Sequence, residues 1–247
     1  MIETEAIVLH AFDYRETSRI VRLVTRDAGV VSAIARGARR PRSKFGQGLD
    51  LFTSGTAHLI LHATADLHIL TGFDASRARP ALAGSLQRFG AAAALCELCL
   101  RFGTEAPPSV HQELTDGLDT LASADDPVVT AKAIAAAWRI VAELGFAPSL
   151  DQCVVCHRAL KDDEEVRFAH RAGGAVCKSC RDAALGARTL PPPARATLRA
   201  WLEGNEDLTP DAPTAKAHQR LLREFLEEHL ADGKPLRAWA AWEKLNR

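Results

Sequence analysis

The sequence predicts an α+β protein of two parts, a small closed β-barrel followed by an α-helical domain that carries an inserted four-cysteine module. Three observations carry this prediction. Short β-rich runs separated by turn residues fill the first eighty positions, apolar residues recur at three- and four-residue spacing beyond them, and two Cys-x-x-Cys pairs interrupt that second pattern.

Glu3 to His10 alternates around Ala6, Val8 and His10, and Arg19 to Thr25 sets Arg22 and Val24 against Ile20, Val21 and Leu23. Asp27-Ala28-Gly29 makes a tight turn into Val30 to Ala35, so the second and third strands form a hairpin. Leu49 to Phe52, Ala57 to His62 and Leu67 to Phe73 are again short and apolar or β-branched, which brings the count to about five strands with a long connection after the third. Five short strands suit an OB-fold over residues 1–80, because closing the sheet removes its exposed edges.

From residue 81 to 247 the period is helical. Leu82, Leu86, Phe89, Ala93, Cys96 and Leu100 form one stripe and Leu114, Leu118 and Leu121 a second, with Pro107 and Pro108 between them. A third helix runs from about Pro127 to Leu144, with Asp125 or Asp126 to cap it and Gly145 to end it. The cysteine module follows at about 150–182, and Pro191-Pro192-Pro193 restarts helices near 194–203 and 214–230.

An apolar content of 47% excludes a disordered chain as the default. No apolar run reaches the eighteen or so residues that span a bilayer, and Met1 to Leu9 lack the basic start and apolar core of an export signal, so a cytoplasmic location and no membrane association are expected. A reducing compartment favours metal over disulfide for paired cysteines. Cys153, Cys156, Cys177 and Cys180 have the spacing of one closed, tetrahedral, structural zinc site. The run Cys153 to His157 also has the form of a c-type haem attachment site, but that chemistry needs export and leaves the second pair unexplained. Cys96 and Cys99 share the spacing yet lie inside a helical stripe, where they read as core thiols.

The net charge is zero, but residues 1–80 carry 11 basic and 8 acidic side chains against 4 and 8 in residues 81–150. Arg36, Arg39, Arg40, Arg42 and Lys44 fall within the nine residues 36–44, which contain no acid, and the loop they start runs on through Gly37 to Gly46. Such a loop can meet phosphates and release counterions, with Phe45 placed to stack on an unpaired base, whereas the plainer reading is a solvated loop. Attachment to an OB barrel favours nucleic-acid binding. Arg15, Arg19, Arg22 and Arg26 have Asp13, Glu16 or Asp27 nearby and read as surface ion pairs; Phe12, Tyr14 and Phe52 read as core or barrel-rim residues. There are no catalytic residues to name: no phosphate loop, nucleophile elbow or His-Glu-x-x-His helix is present. Asp162 to Glu165 reads as the solvated tip of a hairpin between the cysteine pairs.

The order of parts carries a resemblance. Gly37 to Ser43, then Leu144-Gly145-Phe146-Ala147-Pro148-Ser149-Leu150-Asp151-Gln152-Cys153-Val154-Val155-Cys156, then Gly173-Gly174-Ala175-Val176-Cys177-Lys178-Ser179-Cys180 resemble the bacterial RecO family of DNA repair proteins. His157 departs from it, since glycine often follows the first pair in such proteins, and Arg181 follows the second. The resemblance implies a non-enzymatic recombination mediator that binds single- and double-stranded DNA and anneals complementary strands. It further implies work with RecR, and in many bacteria RecF, to load RecA onto strands covered by single-stranded DNA-binding protein. The alternatives from the residues alone are an OB and zinc-ribbon accessory factor of transcription or translation, marked by preference for RNA, and a nucleic-acid-modifying enzyme, marked by covalent change to DNA with magnesium.

Overall fold

A computed structural model describes residues 1–45, 48–62, 64–205, 208–229 and 235–245. Five strands close into a barrel in the order β1-β2-β3-β5-β4: β1 Ile2–Tyr14, β2 Ser18–Thr25, β3 Gly29–Ala35, β4 Ser54–Ile60 and β5 Leu67–Arg77. The β3 and β5 pair is parallel and the others are antiparallel, which is an OB-like arrangement. Long β1 closes the barrel because its register shifts between Val8 and His10, so one half pairs with β4 and the rest with β2.

Ala6, Val8, Val21, Leu23, Val31, Ala33, Leu59, Leu70 and Phe73 fill the barrel. Ile7, Leu9, Val24 and Val30 point the other way and are also buried, against the helical domain. The run Ala6-Ile7-Val8-Leu9 is continuous for that reason: a strand covered on both faces has no solvent face to make polar.

The barrel has the expected five strands, but Leu49 to Phe52, read as a strand, is not one of them. The segment is turn, with Phe52 at φ 68°. Leu49 tucks into the barrel and Phe52 into the helical core, where its ring meets Phe89 edge-on at 5.5 Å. Its apolar content reflects a span between two cores and not a ladder.

Helices α1 Leu86–Phe102, α2 Pro108–Ser123, α3 Asp126–Val141, α4 Pro192–Leu202, α5 Ala212–His229 and α6 Arg237–Leu245 build the second part. Alanine-rich α3 is buried on nearly every side and lies among α1, α2, α4 and α5. Its capping differs from expectation: Asp125 makes no side-chain cap, and Asp126 pairs with Arg88 at 3.2 Å. A π turn over Ala142–Phe146 ends the helix, with Gly145 at φ 90° as expected. The expected end of the fifth helix, Leu230, lies outside the described residues. Helix α6 was not foreseen. Its N-terminal amides at Arg237 and Trp239 are accepted by Glu97 of α1 at 2.7 and 3.0 Å, and Trp242 lies against Gly90, where a Cβ would come within 3.2 Å of its ring. Cys96 and Cys99 are buried core thiols, and burial pushes Cys99 up to about 12.

The cysteine module is an insertion between α3 and α4. Its strands β6 Val166–Ala169, β7 Gly174–Val176 and β8 Arg188–Leu190 form a sheet in the order β7-β6-β8. Phe168 seats it on the helices, 6.3 Å from Trp138 of α3 and 5.9 Å from Phe225 of α5.

Two devices dock barrel on helices. The Val30 amide donates to the Gly103 carbonyl at 2.8 Å, and a Cβ on Gly29 would fall 2.5 Å from the Thr104 oxygen, so only glycine permits this approach. Arg79, with its side chain 2% exposed, donates to Asp119 of α2 at 2.6 Å, to the Phe52 carbonyl at 2.6 Å and to the Ser54 hydroxyl at 2.9 Å. Replacing Arg79 by Ala leaves the buried Phe52 carbonyl without its donor and the half-buried Asp119 with Arg77 as its remaining cation, and is expected to cost about 2 kcal/mol, read as a lower urea midpoint at an unchanged slope.

Candidate nucleic-acid interface and metal centre

The basic loop leaves β3 through Gly37, at φ 74°, and folds as successive tight turns: Arg40 N to Gly37 O at 3.1 Å, then Ser43 N to Arg40 O at 2.9 Å. This winding leaves Arg36, Arg39, Arg40, Arg42 and Lys44 exposed. Gly46, which closes the sequence stretch, lies outside the described residues.

Phe45 is where the structure departs from the sequence reading. It is 3% exposed and plugs the barrel beside Leu49 and Phe73, so it has no face free for a base. Its sequence context could not reveal this, because an aromatic next to cations suits either a stacking platform or a buried anchor. The Lys44 ammonium lies over its ring at 5.4 Å.

Arg39 differs from its neighbours. Its backbone amide donates to the Thr17 carbonyl at 3.0 Å, and its guanidinium reaches the Arg15 and Glu16 carbonyls at 3.4 and 3.3 Å and the Asp13 carboxylate at 3.3 Å. The residue therefore ties the loop to the β1–β2 turn. Arg36, Arg40, Arg42 and Lys44 have no carboxylate partner among the described residues, so their charge faces solvent uncompensated. Of the second arginine set, Arg19 pairs with Asp13 at 3.3 Å as read; Arg26 pairs instead with Glu5 at 3.0 Å, Arg22 donates to the Leu100 carbonyl at 3.4 Å, and Arg15 lies over the Tyr14 ring.

Loop and turn border an open cleft of about 810 Å³ at one end of the barrel. It is lined by the apolar Ile34, Leu67 and Ile69, by Tyr14 and Thr17, and by the cationic or titratable Arg15, Arg36, Arg40 and His62. Sequence reasoning missed Tyr14 and Arg15 as part of this site. The signal was present in the β1–β2 turn, but only the pairing of Tyr14 with Ser18 and of Ile34 with Ile69 brings them to one place.

The four cysteines converge. The sulfurs of Cys153, Cys156, Cys177 and Cys180 all lie within 4.8 Å of one another, with 3.9 Å between Cys156 and Cys177, and can hold one metal ion. Two knuckles present them. In the first, the Cys153 amide donates to the Arg158 carbonyl at 2.9 Å and the His157 amide to the Cys153 carbonyl at 2.8 Å; in the second, the Cys180 amide donates to the Cys177 carbonyl at 3.0 Å. Val154 N to Ala175 O at 3.0 Å joins them.

The electrostatics favour a cation at the centre. Burial alone would push the Cys153 thiol up, but amide hydrogen bonds from Cys177, Cys156 and Val155 outweigh it and bring it down to about 6. Burial likewise opposes ionisation of Cys177, and the Arg158 guanidinium with the Cys180 amide overcomes it. Cys180 is pushed up to about 12 by the hydrogen bonds it shares with Cys156 and Cys177, so one proton stays where negative charge crowds. A metal ion bound here would replace that proton. The acidic tip is solvated as read, with Asp162, Asp163 and Glu165 exposed; Glu164 is half-buried and pairs with Arg158, and the exposed Asp162 reaches Arg199 at 2.9 Å.

A family model described as recombination protein O N terminal matches residues 1–79, and one described as recombination protein O C terminal matches residues 83–239. A DNA repair protein RecO from Anaeromyxobacter dehalogenans (strain 2CP-C) is 35% identical over 238 residues, covering 93% of this chain and 91% of its own. The protein of that name from Thermobifida fusca (strain YX) is 35% identical over 242 residues, covering 93% of each chain. One from Moorella thermoacetica is 32% identical over 185 residues, 73% of this chain and 67% of its own.

His157 sits at φ 59°, a left-handed conformation that costs a side chain with a Cβ roughly 1–2 kcal/mol. Because its ring is exposed, His157→Gly is expected to stabilise the metal-loaded protein by about 0.5–1 kcal/mol after the entropy cost of glycine, measured as a raised denaturation midpoint.

Proposed function

The chain belongs to the RecO family of DNA repair proteins, and from that premise we propose that it is a recombination mediator of the cytoplasm that binds single- and double-stranded DNA and anneals complementary strands. With RecR, and with RecF where it is present, it helps RecA load onto strands covered by single-stranded DNA-binding protein. It works by binding, with no bond-making step of its own.

The observation that carries this reading is the uncompensated charge of Arg36, Arg40, Arg42 and Lys44, exposed on one loop beside an open cleft. Cations on a short loop neutralise phosphates without reading bases, so binding is sequence-tolerant and driven by counterion release. Two strands that share such a surface repel each other less, which lowers the barrier to pairing. Arg39 serves by bracing the loop against the β1–β2 turn, and Phe45 by anchoring its far end in the barrel.

We assign zinc to the four cysteines. Bonds of about 2.3 Å to a tetrahedral zinc place neighbouring sulfurs about 3.8 Å apart, close to the 3.9 Å between Cys156 and Cys177. Four sulfurs leave no open position, so the ion supplies structure: it clamps two knuckles whose backbone bonds are few.

Two outcomes are expected. Arg40→Ala combined with Arg42→Ala lowers the dependence of log K on log salt by about 1.4–1.8 on single strands and duplexes alike, and slows annealing of strands precoated with single-stranded DNA-binding protein; an unchanged salt slope refutes the loop as the DNA contact. The purified protein carries one zinc, and chelation exposes four reactive thiols and melts the module; a metal-free protein whose module stays folded, with the Phe168 packing and the β6–β8 sheet intact, refutes the zinc assignment.

A further inference from the structure

The cleft beside the basic loop is more than a gap between charges. Part of its lining is apolar, with Ile34 and Ile69 half-buried and Leu67 exposed, and the half-buried Tyr14 lines it as well. Phosphates gain nothing from such a lining. A planar apolar ring does, and the volume of about 810 Å³ is in the range of pockets that hold small ligands. The lining also carries cations, Arg36 and Arg40 from the loop and Arg15 from the β1–β2 turn, and the one acid among the lining residues is Glu16.

Arg15 covers Tyr14. Its guanidinium stands over the Tyr14 ring, 5.3 Å from the centroid, while its backbone sits in the left-handed region at φ 53°. An arginine held over the face of a half-buried aromatic ring occupies the position where another flat group would stack. Arg39, through the Arg15 and Glu16 carbonyls, holds the turn that presents this pair.

We propose that the cleft seats one unpaired nucleobase against Tyr14, with Arg36 and Arg40 on the flanking phosphates and Arg15 swinging off the ring to admit it. This inference rests on the DNA-binding reading and deepens it. The seat tells single strands from duplexes, because a base inside a duplex has its faces stacked and cannot enter. It is sequence-tolerant, because every base has a flat face. During annealing it holds a strand by one base and leaves its neighbours free to pair.

Tyr14 is the single tyrosine of the chain, which makes the native protein its own probe. Protein labelled with 13C in its tyrosine ring is titrated with a thymidine oligonucleotide, with an abasic strand of equal length and with duplex. The expected result is a ring-current shift of the one tyrosine signal with the thymidine strand only, and roughly tenfold weaker binding of the abasic strand at an equal salt slope. Tyr14→Leu is expected to weaken single-strand binding roughly tenfold and leave duplex binding unchanged, with Tyr14→Phe restoring it; retained duplex binding also certifies the fold. Equal affinity for thymidine and abasic strands, or an equal loss on single strands and duplex in Tyr14→Leu, overturns the base seat while DNA binding through the loop stands. No binding of any strand by the wild-type protein overturns the DNA-binding reading itself.

Discussion

The barrel is stable because both sides of its sheet are dry where β1, β2 and β3 meet the helices. A five-stranded barrel of about seventy residues encloses a small core, and its interior side chains here include many alanines and valines. Docking adds Ile7, Leu9, Val24, Val30 and Phe52 to the larger core of the helical domain. The approach needed for this is close enough that Gly29 and Gly103 meet backbone to backbone, and Arg79 then supplies the hydrogen bond that the buried Phe52 carbonyl requires and pairs with Asp119 of α2. Everything at the other end of the barrel, including loop and cleft, is held on the frame this contact creates.

That division of labour explains why uncompensated charge is tolerated on the loop. Arg36, Arg40, Arg42 and Lys44 repel one another, and a loop attached only at its ends would splay. Here Phe45 is buried at one end, and Arg39 bonds to the β1–β2 turn near the other. Two neighbours of the charged residues thus hold the loop while four cations stay free. A binding surface for a polyanion needs both, since rigid positioning without free charge gives no counterion release, and free charge on a loose chain is ordered at an entropic cost on binding.

The cysteine module follows the same logic in another currency. Its strands are three or four residues long, too short to hold themselves, and it is secured from two sides, by Phe168 between Trp138 and Phe225 and by four converging sulfurs. The thiol chemistry is set by backbone amides and by Arg158, not by an acid or base placed for reaction. Such a site belongs with architecture.

The sequence by itself determined the parts and their order: five strands, a basic loop, apolar-striped helices and four ligands whose spacing alone matched a closed metal site. These are legible because period, turn residues and ligand spacing are local properties. Tertiary structure decided what each ambiguous side chain does. Phe45 is an anchor and not a stacking platform, and Arg39 a brace, because the partner groups lie on other elements. Leu49 to Phe52 became a bridge between two cores and not a strand, since apolar character alone does not distinguish one from the other. Helix α6 was missed because its N-terminal amides are capped from Glu97, some 140 residues away along the chain. Tyr14, dismissed as a rim residue, faces a cleft that exists only once β1, β3 and β5 are joined. A side chain's chemistry is written in its letter, but its role depends on which distant groups fall within a few ångströms, and only the closed barrel and its docking settle that.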